Sequence, residues 1–122
     1  MSHMSDTRRV KLGRKLRFNP ELIREIARGR KTCTVRLGIV EPTSRTVVLY
    51  CKGRPVAVAE IEYVRYMKVR ELGEGIARLD GFSSREELLE RLTKIYPYLT
   101  PDDWVTVIKF RIIRWIRRPR VR

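Results

Sequence analysis

Apolar residues along this chain recur with two different periods, and each switch between them marks a change of element. From Arg8 to Phe18, the apolar positions Val10, Leu12, Leu16 and Phe18 stand at even spacings on a basic background, which predicts a strand. Asn19-Pro20 then offers an N-cap residue followed by proline at the first helical position. Leu22, Ile23 and Ile26 form one helical stripe, and Gly29 can take the positive φ that ends it. In the following segment GRKTCTVR (29–36), Cys33 and Val35 are apolar while Thr32, Thr34 and Arg36 alternate with them. That spacing predicts a strand with one face for the core and another presenting two hydroxyls and a guanidinium. Lys31, at the corner, has the reach to swing towards the polar face. Gly38 to Arg45 reads as a loop and Thr46 to Cys51 as a short β-branched strand. The turn Lys52-Gly53-Arg54-Pro55 leads into a longer strand, from about Val56 to Lys68. Its Ala57, Ala59, Ile61 and Tyr63 share one face; Val56, Val58, Glu60 and Glu62 share the other.

Val69 to Ala77 predicts one helical turn or two. The run Asp80-Gly81-Phe82-Ser83-Ser84-Arg85-Glu86-Glu87 announces another helix, Ser83 with Glu86 or Ser84 with Glu87 making its capping box. Leu88, Leu89, Leu92 and Ile95 supply the buried face, and Tyr96-Pro97 closes it. Trp104 to Ile116 is the final long strand. Thr106, Ile108, Phe110 and Ile112 suit a core, and Lys109, Arg111 and Trp115 form a basic and aromatic face, with Trp104 expected in the core. The order strand, helix, several strands, helix, strand indicates an α+β fold: a small mixed sheet curled into a barrel, with two or three helices packed at its ends. At 122 residues the chain is one domain, 5–116, followed by a basic tail, 117–122, in which Pro119 discourages regular structure.

Charge changes the picture next. The chain has 28 basic and 14 acidic residues, a net charge of +14, and 21 of the 28 are arginine. Six basic side chains lie between Arg8 and Arg17 and seven between Trp104 and Arg122, neither stretch holding a carboxylate. A thermophilic origin accounts for part of the arginine, but thermophile surfaces pair it with acid, and here the acid is missing. Arginine's planar fork suits phosphate and stacks on bases, so the imbalance favours nucleic acid over a membrane surface. The first four residues, Met1-Ser2-His3-Met4, read as the remnant of a purification tag, which makes the single histidine foreign. His-based triads and most zinc sites then fall away, and no cofactor or metal is expected. Cys33 and Cys51 are too far apart for a CxxC motif; they fit a reduced pair in a cytoplasmic protein, the alternative being an intracellular disulfide of the kind hyperthermophiles form. No apolar run suggests a membrane span, and the expected state is a monomer.

GRKTCTVR, followed by DGFSSREELLERLTKIYP and the strand WVTVIKFRII, resembles the ASCH domain of the PUA-like superfamily, from roughly Leu16 to Ile113. The resemblance implies a compact β-barrel with a cleft beside the first motif. It also implies a role in binding RNA or acting on a modified nucleoside. Some small relatives are amidohydrolases that deacetylate N4-acetylcytidine, using a lysine and a threonine of the first motif and a glutamate before the second helix. Those positions correspond to Lys31, Thr34 and, at or beside the glutamate, Asp80, whose side chain is one methylene shorter. Arg36 matches a common basic position of the motif.

The same groups serve two chemistries. As a catalyst, Lys31 would take the proton of Thr34, and Asp80 would pass one to the leaving amine. As a binding site, Lys31 and Arg36 would hold a phosphate or carbonyl, Thr34 would donate, and Asp80 would accept from an exocyclic amine. Binding is the favoured expectation, with RNA the partner and a modified nucleoside the alternative ligand. Arg30, Lys31, Arg36, Lys109, Arg111, Arg114, Trp115, Arg117 and Arg118 are the candidate contacts. A module that meets an acidic protein remains the third reading.

Overall fold

The computed structural model describes residues 7–121, so the reading of Met1–Met4 as a tag, His3 included, lies outside the described residues, as does Arg122. The strand predicted from Arg8 to Phe18 is two strands, β1 (Arg9–Gly13) and β2 (Lys15–Arg17), divided where Gly13 takes φ +69°. They enter different sheets. β1 pairs in parallel with β4 (Ile39–Pro42), which occupies the stretch after Gly38 that reads as a loop. Ile39 and Val40 are β-branched and buried, which outweighs the turn signal of Pro42 and Ser44 beyond them.

The main sheet has five strands in the order β2, β5 (Thr46–Cys51), β6 (Arg54–Lys68), β7 (Trp104–Trp115) and β3 (Cys33–Leu37). β2 runs parallel to β5 and the other neighbours are antiparallel, so the sheet is mixed. Its spine is the β6–β7 pair, registered from Ala57 opposite Trp115 to Lys68 opposite Trp104 and interrupted by irregularities at 58/59 and 61/63. Such bulges bend and twist long strands, and the sheet curls into a half-barrel.

Helix α1 (Pro20–Ala27) begins as its sequence requires: Asn19 Oδ1 accepts from the Leu22 N–H at 2.9 Å. The ambiguous stretch after β6 resolves into a 3₁₀ turn, Val69–Glu71, and a short helix α2 (Glu74–Leu79). Helix α3 (Arg85–Ile95) is capped by Ser84 rather than Ser83, its hydroxyl accepting from the Glu87 N–H.

Two cores result. One, inside the curl, gathers Leu16, Phe18, Ile23, Ile26, Leu49, Ile108 and Phe110; the other lies under α2 and α3 and gathers Cys33, Val35, Ala77, Leu88, Leu92, Val105 and Val107. β7 passes between them, Ile108, Phe110 and Ile112 feeding the first core and Val105 and Val107 the second. Thr106 is wholly buried because its hydroxyl donates to the Gly38 carbonyl and accepts from the Val40 N–H, at 2.7 and 2.8 Å. Two core expectations are corrected. Ile95 is 56% exposed, since it is the last residue of α3 and projects past the packed stripe; Trp104 is 37% exposed, at the outer start of β7. Cys33 and Cys51 are both free thiols.

Candidate functional site

Backbone geometry brings the first motif to Asp80. After α1, Gly29 turns the chain at φ +78°, and the N–H groups of Arg30 and Lys31 return to the Glu25 carbonyl at 3.0 and 3.3 Å. The Thr32 N–H then donates to the Leu79 carbonyl at 2.7 Å, tying the corner to the end of α2. Asp80 is the C-cap of that helix, and Gly81 follows at φ +94°, where an added Cβ would meet the Arg30 carbonyl oxygen at 3.4 Å. Lys31 and Asp80 therefore face one another. The Lys31 ammonium donates to an Asp80 carboxylate oxygen and, at 2.9 Å, to the Cys33 carbonyl. Lys31, Thr34 and Asp80 are 3%, 5% and 7% exposed, so the polar face of β3 points into the protein and not to open solvent.

Arg36 completes the group. Its Nε donates to Thr34 Oγ1 at 3.0 Å and its Nη2 to the Arg17 carbonyl at 3.1 Å. Thr34 Oγ1 is thus an acceptor towards Arg36, and its own proton is left to donate. The Phe18 ring lies beneath both cations, 5.2 Å from the Arg36 guanidinium and 5.6 Å from Lys31 Nζ. Burial pushes the Asp80 carboxyl above its ordinary value, more than Lys31, Arg36 and Arg91 pull it down. Burial likewise lowers the Arg36 guanidinium, against the opposing pull of Tyr96 and Asp80. The Cys33 thiol beside the pair is pushed up to about 12, chiefly by burial, which leaves it protonated and unreactive.

These side chains line a cleft of about 320 Å³ between β2, β3 and α3. Arg17, Arg91 and Tyr96 share its walls, and none of the three stood among the sequence candidates. Arg91 was detectable in principle, since it falls three residues after Leu88 and four before Ile95, on the edge of the helical stripe.

The remaining candidates lie elsewhere. Arg30 points outward, 3.7 Å from Glu25. Lys109 and Arg111 are held by Glu62 and Glu60 at 2.6 and 2.9 Å, so the basic face of β7 is largely paired. Trp115 is half-buried against the inner core, while Arg114 is exposed. The Arg117 N–H donates to the Val56 carbonyl and the Arg118 guanidinium to the Ala27 carbonyl, at 3.0 and 3.3 Å. Among the described residues no cluster of ligands could hold a metal ion, and no helix is long and apolar enough to cross a membrane.

Comparison with known proteins follows the same outline. The solved ASCH domain from Lactobacillus crispatus JV V101 superposes with a TM-score of 0.72 at 16% identity, covering 84% of this chain and 80% of its own. The ASCH protein of Zymomonas mobilis gives 0.61 at 20% identity, covering 86% and 73%. A protein from Enterococcus faecalis V583 gives 0.66 at 17% identity, covering 78% and 68%. At such identities the likeness is one of fold. No curated protein matches the chain. The family model described as the ASCH domain matches residues 9–114, nearly the whole of the described structure. The chain belongs to the ASCH domain family, and its half-barrel is the PUA-like fold of that family.

Proposed function

We propose that this ASCH domain binds single-stranded RNA, with one base in the Lys31–Thr34–Arg36–Asp80 cleft and the adjoining phosphates along β2. The observation that carries the reading is the direction of hydrogen bonding in the cleft. The Thr34 hydroxyl is left to donate, the Arg36 fork is oriented by Thr34 and the Arg17 carbonyl, and the Asp80 carboxylate keeps acceptor capacity beyond Lys31. Donors beside an acceptor match the edge of a base that carries an exocyclic amine next to a ring nitrogen or carbonyl, as cytosine does. Arg17 links this cleft to a free basic run. Arg14, Lys15 and Arg17 are exposed, and among the described residues none of them is in an ion pair.

Binding is tested by anisotropy of a labelled single-stranded RNA across a salt series. With about five phosphates engaged, the slope of log affinity against log salt is expected near −3.5. Lys15→Gln with Arg17→Gln should flatten it by about 1.4. Removing a paired couple on β7, Lys109→Gln with Glu62→Gln, should leave the slope as it was. A wild-type affinity indifferent to salt would contradict the reading.

Hydrolysis of N4-acetylcytidine is the second reading, because Lys31, Thr34 and Asp80 converge in one cleft. The hydrogen bonds weigh against it. A threonine nucleophile needs a base on its hydroxyl, whereas Lys31 donates to Asp80 and Cys33, and Thr34 Oγ1 accepts from Arg36. Wild-type protein is therefore expected to release no cytidine from N4-acetylcytidine by chromatography. Release that disappears in Lys31→Arg would establish hydrolysis instead.

A further inference from the structure

Across the Ile95–Tyr96 ridge from the cleft lies a second, larger hollow of about 830 Å³, and both residues contribute to the walls of both cavities. We propose that this hollow seats a second base of the same RNA strand, stacked on Tyr98 and Trp104; the inference rests on the cleft being an RNA site. Tyr98 is 94% exposed, an aromatic ring left almost wholly in water. Its loop is nevertheless well fastened. The Leu99 N–H donates to the Tyr96 carbonyl at 3.0 Å, the Thr100 N–H to Asp103 Oδ2 at 2.7 Å, and the Arg70 N–H to the Pro101 carbonyl at 3.1 Å. Pro97 and Pro101 stiffen it further. A ring held out by a fastened loop loses little entropy when something stacks on it.

The charges choose the occupant. Lys68 Nζ lies 5.9 Å from the Trp104 ring centroid, and Arg8 stands exposed on the wall with its carbonyl fixed by the Ile39 N–H at 2.7 Å. The two carboxylates of the hollow are already engaged: Asp102 pairs with Arg70, and Asp103 accepts from the Thr100 N–H. With Asp102 paired to Arg70, Arg8 and Lys68 set two cations against the one carboxylate of Asp103, and with the exposed aromatic rings this suits a ligand that is flat, apolar on its faces and anionic at its edge. A nucleotide has that chemistry, and base–aromatic stacking tolerates any base. The cleft would then discriminate, while this hollow grips its neighbour in the strand.

The test compares a short oligocytidylate with cytidine monophosphate as ligands of wild type, Tyr98→Ala, Tyr98→Phe and Arg36→Ala. Tyr98 is so exposed that its replacement leaves the fold intact. Tyr98→Ala is expected to weaken the oligonucleotide by roughly five- to hundredfold, with Tyr98→Phe near wild type and the mononucleotide unaffected. Trp104 fluorescence, read in a Trp115→Phe background, should be quenched by the oligonucleotide and not by the mononucleotide. Unchanged oligonucleotide affinity in Tyr98→Ala overturns the second site, and a loss in Arg36→Ala alone then leaves the cleft standing. Loss in Tyr98→Ala with Arg36→Ala unaffected keeps the hollow as an RNA site and discards the cleft. Wild type that binds neither ligand overturns both. Binding of an acidic peptide in preference to oligonucleotide, abolished by Tyr98→Ala, also overturns the proposal, making the hollow a peptide site.

Discussion

Lys31 and Asp80 are both withdrawn from water, so each depends on the other for compensation. Lys31 supplies the strongest attraction opposing the burial that lifts the Asp80 carboxyl. Lys31→Met removes that attraction and is expected to cost about 3 kcal/mol at neutral pH, measured by urea unfolding. The sign of its pH dependence follows from the direction of the shift. With the folded-state pKa of Asp80 above its unfolded value, the linked stability is complete below about pH 4 and drains away as pH rises through the folded value. The deficit of Lys31→Met against wild type should therefore shrink on acidification, and adding Asp80→Asn should recover most of it at neutral pH. A deficit equal at both ends of the pH range would assign the loss to packing instead of charge.

Elements were legible where a single local chemistry decides them. Asn19-Pro20 and Gly29 bound α1 as their capping preferences require, and the alternation of Ala57, Ala59 and Ile61 gave the buried face of β6. The division of the first basic strand was not legible, because Gly13 within an alternating run does not reveal that β1 and β2 join different sheets. β4 was hidden for a similar reason: its partner β1 lies 30 residues earlier in the chain, and only pairing makes Ile39 and Val40 a strand. Gly38 is the hinge on which this arrangement turns. It stands at φ +84°, and an added Cβ would come within 2.5 Å of the Arg8 carbonyl oxygen. Gly38→Ala should cost more than the roughly 1–2 kcal/mol of a left-handed backbone, since Arg8 and the start of β1 must also move. Hydrogen exchange should accelerate at the Ile39 and Val40 amides, and unaltered protection there would contradict this account of the corner.

On the scale of the whole molecule, a net charge of +14 becomes informative only once the pairs are drawn. The basic face of β7, prominent in the sequence, is tied to Glu60 and Glu62 of the neighbouring strand, whereas Arg14, Lys15 and Arg17 are exposed, with Arg17 lining the cleft, and among the described residues none of the three is in an ion pair. The period of β3 made Thr34 and Arg36 legible as companions, and likeness to the ASCH pattern supplied Lys31 and Asp80. Arg91 and Tyr96 escaped because α3 reaches the cleft only through the packing of Leu88 and Leu92 on Val35, Val105 and Val107. The polar face of β3 is buried on the opposite side, where Thr34 stands across from Ile108 of the inner core and Phe18 lies against Lys31 and Arg36. The most direct test of the cleft as an RNA site is a heteronuclear NMR titration of the protein with a short single-stranded RNA. The account predicts that the amides of Thr32 to Arg36 and of Asp80 to Phe82 shift first and furthest, with Lys109 and Arg111 nearly still. Shifts confined to β7 and the residues after Trp115, with Thr34 and Asp80 unmoved at saturation, would contradict it.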